Sequence, residues 1–244
     1  MASREARLTS PYTVDVASNL RNSIAKILTL LLISAFMSCN YYPNGERIIP
    51  KEEVVNNIGL LKSAGFFKEW ESLSANETYD SLYELRKKEY KEIFESDYDP
   101  KMNLEPIEIA EYDKSKLLFL DLEADVFNGN DVYKLVINRF SELSDGRFNP
   151  TELTETWESN GGPIKVSFIS DNKITEFEPE YNNDWLHESV FTICKEKLAE
   201  KEVPLVYCLD NDGYGYGQAI AIMRLTKSEQ KILENGLNWK FETE

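Results

Sequence analysis

One histidine, three cysteines and many carboxylates are the side chains that could do chemistry in this chain. With His187 as the sole imidazole, a zinc site built from several histidines is excluded. A Ser–His–Asp arrangement would have to use His187, and no G-x-S-x-G turn exists to present a serine. The residue is read as a surface or helix-capping group. Gly213, Gly215 and Gly217 alternate with Tyr214 and Tyr216, which is not the spacing of a P-loop or a dinucleotide fingerprint. Asp210-Asn211-Asp212-Gly213 opens like a calcium loop, but the twelfth position holds Ala221 where an EF-hand requires Glu. The tetrapeptide therefore reads as a β-turn, and no metal or cofactor is expected. Carboxylates are what remain for catalysis. Asp210, Asp212 and Glu155 could pair as acid and base in a hydrolase, although the many acids of this chain make chance pairs common. The same turn serves better as a contact surface. Asp210, Asp212, Tyr214, Tyr216 and Gln218 combine charge with large amphipathic rings, which suits a protein partner and would also suit a carbohydrate. Cys194 and Cys208 fall on a helix and on the following strand, so they either form a disulfide or stay as buried thiols.

These residues need a scaffold, and its clearest part runs from Phe148 to Trp185. Asn160-Gly161-Gly162 and Asp171-Asn172 are turn signals between runs of β-favouring residues. Ile164-Lys165-Val166-Ser167-Phe168 alternates apolar and polar, giving one buried face. In the strand before it Leu153, Glu155 and Trp157 share a face, so Glu155 is either a functional acid or an edge-strand gatekeeper. Lys116–Leu122 predicts a central strand, and Asn130 or Asp131 caps the helix after it. A helix is expected from Asp184 to about Lys201, strands at Leu205–Leu209 and Ala219–Met223, and a last helix from the Thr226/Glu229 capping box to Gly236. Trp239–Phe241 reads as a final strand. Upstream, Lys51 to Gly65 and Thr78 to Phe94 carry helical stripes, and Asp97–Pro106 reads as a loop. The order predicts an α+β fold, a mainly antiparallel sheet with packed helices, preceded by an N-terminal helical region.

The formal net charge is −16. Up to Ser38, Arg4, Arg7, Arg21 and Lys26 outweigh Glu5 and Asp15 by two, so the remainder carries −18. Such a body repels phosphate backbones, which excludes direct nucleic-acid binding and suits a basic protein partner or simple solubility. Ahead of Cys39, Ile27–Met37 is an apolar run preceded by Arg21 and Lys26. It is too short to cross a bilayer as a helix and fits a signal-peptide core. The alternative is a buried helix ending in an ordinary cysteine.

With Ser38-Cys39 at its end, Phe36-Met37-Ser38-Cys39 resembles the cleavage site of bacterial lipoprotein signals. The resemblance implies that Cys39 is lipidated and becomes the first residue of the mature protein. Asn40, in place of Asp, then implies the outer membrane. The long polar stretch 1–19 suggests a start placed upstream of the true one, near Leu20. Residues 1–38 are accordingly expected to be a signal peptide, 39–50 a lipid-anchored tether rich in Pro and Gly, 51–106 a helical region and 107–244 the α+β domain.

Asn149-Pro150-Thr151-Glu152-Leu153-Thr154-Glu155-Thr156-Trp157, a hairpin, and then Pro179-Glu180-Tyr181-Asn182-Asn183-Asp184-Trp185 resemble small acidic α+β proteins of bacteria, some of them immunity proteins encoded beside secreted toxins. The resemblance spans Leu117 to Glu244. Three functions are thus expected in descending order: a lipid-anchored, non-catalytic binding protein of the cell envelope, a membrane-tethered immunity protein that neutralises a basic toxin, and a carboxylate-dependent hydrolase.

Overall fold

The computed structural model describes residues 48–94, 99–209, 213 and 215–242. Cys39 and the signal ahead of it lie outside the described residues, as do Asp210, Asp212 and Tyr214.

Helix α1, Lys51–Ser63, follows Pro50, whose extended backbone leads into it. Glu52 and Glu53 occupy its first turn and Lys62 its last, matching the helix dipole. Val54, Ile58 and Leu61 are buried, the stripe expected from their spacing. Lys62 Nζ donates to the carbonyl of Leu73 at 2.7 Å and to Thr78 Oγ1 at 3.2 Å, which folds the next turn back onto the helix. Helix α2, Ala75–Phe94, starts three residues earlier than expected. Its Glu77 carboxylate accepts from both the amide and the hydroxyl of Ser74, at 2.7 Å each, and so closes its first turn. Where the loop expected over Asp97–Pro106 ends, a further short helix begins, α3, Pro106–Ala110. Pro106 sits at its start, and a capping box joins Glu105 and Glu108.

A four-stranded sheet forms the middle of the fold. It contains β1 (Leu117–Asp121), β5 (Leu205–Cys208), β6 (Ala219–Arg224) and β7 (Phe241–Glu242), in the order β1-β6-β5-β7 with every pair antiparallel. Successive side chains in a strand point to opposite faces. Leu117, Val206, Cys208, Ala221 and Met223 therefore pack with Val54, Ile58, Leu82, Ile109 and Leu233 on one side. Leu118, Leu120 and Ile222 pack with Val136, Phe140, Val190 and Leu198 on the other. The helical region 51–106 thus shares a hydrophobic core with one face of the sheet.

On the second side lie α4 (Val132–Leu143), α5 (Ser189–Glu200) and a separate three-stranded sheet. That sheet is the meander β2 (Thr151–Trp157), β3 (Ile164–Ser170) and β4 (Lys173–Phe177). Ile164, Val166 and Phe168 of β3 face the core, as their alternation predicts. Asp171 and Asn172 both take positive φ, 52° and 58°, the geometry of a tight two-residue hairpin turn. The sequence reading placed all strands in one sheet; the structure divides them between two. Alternation states which face of a strand is buried, not which strand lies beside it. The last helix, α6 (Lys227–Leu237), begins at the expected box, with the Thr226 side chain accepting from the Glu229 amide.

Lys116 and Glu229 join the first loop of the sheet to α6. Their charged atoms lie 2.7 Å apart, and the lysine side chain is buried. Gly65, at φ +78°, lies against this pair: a Cβ there would come within 2.4 Å of Glu229 Oε1. Glycine at this position gives α1 both its ending and room for the ion pair.

Candidate functional site: an acidic, aromatic end

Glu155 shows how far the structure redirects a residue chosen for its chemistry. It does lie on the half-buried face of β2, between Leu153 and Trp157. Its Oε2 accepts the backbone N–H groups of Tyr133 at 3.0 Å and Lys134 at 3.3 Å, and its Oε1 accepts the indole N–H of Trp157 at 3.0 Å. The carboxylate caps α4 from a neighbouring strand. Asp131, expected to cap it locally, stands at the helix entry with φ 56° and makes no side-chain capping bond. The structure thus gives Glu155 a capping role, with both oxygens engaged by the fold. Burial raises its pKa, against the pull of the three donors.

His187 lies ahead of α5 instead of in its first turn. The helix begins at Ser189 because residues 182–185 make a turn of their own, with an Asn182–Trp185 bridge and Asn183 at φ 50°. His187 Nδ1 lies 2.9 Å from Ser189 Oγ and accepts the Ser189 amide at 3.3 Å. Its role is to cap, as expected for a lone imidazole.

The proposed contact turn divides into parts. Gly215 donates its amide to the Leu209 carbonyl at 2.8 Å and so closes the loop. Tyr216 is half-buried and set edge-on to Phe119, with ring centroids 5.3 Å apart. Its hydroxyl is 3.5 Å from Cys208 Sγ. Tyr216 is a margin of the core and not a projecting ring. Gln218 is exposed, and its amide donates to Asp121 Oδ2 and Glu123 Oε2, each at 3.1 Å. Cys194 and Cys208 are buried and not joined to each other; they belong to the cores on opposite faces of the central sheet. Alternate faces of one sheet cannot supply the short sulfur separation a disulfide requires.

Gln218 leads to a surface that the sequence reading treated as scaffold. Glu123, which it holds, pairs with Trp185 in an antiparallel bridge. Ala124 donates to the Asp184 carbonyl at 2.8 Å and Leu186 to the Leu122 carbonyl at 2.9 Å, so the loops 122–130 and 181–186 run side by side. Asn128 Nδ2 donates to Asn160 Oδ1 at 3.5 Å, which ties the first loop to the β2–β3 turn. Tyr181 packs edge-on against Trp157 with centroids 5.6 Å apart. Phe127 (54% exposed), Tyr181 (37%) and Trp185 (38%) are large apolar side chains left in water at this end. Their signal in the sequence is local: Phe127-Asn-Gly-Asn and Tyr181-Asn-Asn-Asp-Trp185 place aromatics among turn-forming residues, where they have no strand or helix face to bury.

No family model matches the chain, and neither a curated protein nor a solved structure matches it.

Elsewhere, a cleft of about 670 Å³ is lined by Lys68 and Glu69 of the 3-10 turn Lys68–Trp70, by the segment 112–115, and by Glu142 and Asp145. Its Asp113 is engaged structurally. It accepts the Phe67 amide at 2.6 Å, holding that residue at φ 57°, and the Ser115 hydroxyl at 2.7 Å. Asp145 lies 3.4 Å from Arg224. Near the cleft, burial pushes the Glu111 carboxyl up to about 8, with the Arg139 charge opposing. Among the described residues no group of three or more His, Cys, Asp or Glu side chains is arranged to hold a metal ion.

Proposed function

We propose that this protein is a lipid-anchored, non-catalytic binding protein of the bacterial cell envelope, tethered through Cys39 at the outer membrane. The observation that carries the non-catalytic part is the engagement of Glu155. The acid on the inner face of β2 spends its oxygens on two helix amides and an indole. A general acid or base must reach a substrate proton, and this carboxylate reaches the fold instead. The anchoring part rests on the apolar run Ile27–Met37, the basic residues before it and the cut-site residues Ser38-Cys39. The tether 39–50 gives the body reach above the membrane surface.

Palmitate labelling tests the anchor. Cys39→Ser should lose the label and accumulate as uncleaved precursor, while the unaltered chain is labelled and shortened. A variant that is processed and retained at the membrane like the parent would overturn the reading. Neutralisation of a basic toxin is the second reading. It is favoured by the run of acidic loops at the aromatic end, and co-expression with such a toxin separates it from other kinds of binding.

A further inference from the structure

We infer that the end of the molecule carrying Phe127, Tyr181 and Trp185 is a docking surface for a basic protein, and that it recognises arginine side chains. The inference rests on the reading of the protein as a binding protein and goes beyond it in naming the surface and the chemistry. Three neighbouring segments build this end, and their charge is of one sign. Residues 121–130 hold three carboxylates, 155–163 two and 178–188 four, with no Lys or Arg in any of them. Of the nine, Glu155 is consumed in capping α4. Gln218 holds Asp121 and Glu123 together at 3.1 Å each, beside the strand partner Trp185.

Two like charges fixed beside an exposed indole form a site of low potential with an apolar floor. A guanidinium suits it on both counts. Its planar face stacks on Trp or Tyr, and its N–H fork matches carboxylate oxygens. An ammonium can also sit over a ring, but it lacks the planar face that stacks and the fork that pairs with a carboxylate. A second copy of this acidic chain would meet like charge and be repelled. Backbone bonds between 122–124 and 184–186, with the Asn128–Asn160 side-chain bond to the β2–β3 turn, hold the three segments together before a partner arrives, which lowers the ordering cost of docking.

The test uses the full chain in detergent micelles, titrated with an arginine-rich peptide and followed by tryptophan fluorescence. A lysine peptide of equal length and a neutral oligosaccharide serve as rival probes. The arginine peptide should bind more tightly than the lysine peptide. Tyr181→Ala with Trp185→Ala, and separately Asp121→Asn with Glu123→Gln, should each weaken it by about tenfold. The charge variants keep the aromatics, so a folding defect in the aromatic pair leaves the proposal testable. Glu196→Gln with Glu234→Gln removes two exposed charges elsewhere and should change affinity less than about twofold. Equal weakening by this control pair, or equal affinity for both peptides, would mean unspecific charge attraction and would overturn the proposal. Oligosaccharide binding lost in the aromatic pair would also overturn it while leaving the binding reading in place. Failure of every probe to bind would likewise overturn the proposal, and the Cys39 experiment then decides the anchor on its own.

Discussion

Glu155 stands for a residue whose sequence position says little about its work. The alternation of β2 correctly turns it inward, where an uncompensated carboxylate would be costly. It is compensated by the unpaired amides at the start of α4, a partner 21 and 22 positions away in the chain. Glu155→Ala should therefore destabilise the fold by about 1–2 kcal/mol, as for loss of a helix cap, and urea denaturation measures it. Glu155→Gln keeps an acceptor and should lose less. Equal, negligible losses in both would mean the cap is dispensable. Gly65 is the converse case. It looks in sequence like a simple helix stop, yet a side chain there would also crowd the Lys116–Glu229 pair and force it to shift.

At the scale of elements, local chemistry held where an element closes on itself. The Thr226–Glu229 box and the Asp171-Asn172 turn were legible because both their partners lie within a few residues. Both turn residues adopt the left-handed region, which asparagine tolerates and a β-branched residue does not. Asn172→Val should cost about 1–2 kcal/mol and speed amide exchange in β4, whereas Asn172→Gly should be neutral or slightly stabilising. Unchanged exchange in the valine variant would show that packing of β3, not the turn, holds the hairpin. Elements whose ends are set by contacts were misread. Helix α5 starts at Ser189 because the 182–185 turn is held by the 122–124 loop, and α3 is a single turn too short for any periodicity to reveal.

At the scale of the molecule, the acidic charge meets a pH dependence with two limbs. Burial raises the carboxyls of Glu89, Glu108 and Glu111, the last to about 8 from an ordinary 4.5. Between about pH 4.5 and 8 the folded protein keeps a proton on Glu111 that the unfolded chain has released. That contribution is full below the ordinary value and is lost as pH rises through the folded one. Glu229 and Asp171, beside Lys116 and Lys201, are shifted down, so their contribution is lost as pH falls through their folded values. The protein should accordingly be most stable in mildly acidic solution. Its unfolding free energy, read from urea denaturation, should fall from pH 5 to pH 8 by more than about 1.4 kcal/mol, the equivalent of a single pKa unit. Glu111→Gln should flatten that limb; a slope that survives in the variant would assign it to other groups.

Short-range pattern in the chain carries the α+β class, the order of strands and helices from β1 onward, the buried stripe of α1, the inward face of β3 and the acidity of the body. Each of these rests on spacings of two to four residues, within reach of one turn or one pleat. Tertiary structure alone decided that the strands form two sheets, that Cys194 and Cys208 lie on opposite faces of the central one, and that Glu155 is a cap. It alone brought Phe127, Tyr181 and Trp185 to one end, from segments more than fifty residues apart. Such placements depend on which faces the chain buries against each other, and no local spacing carries that information.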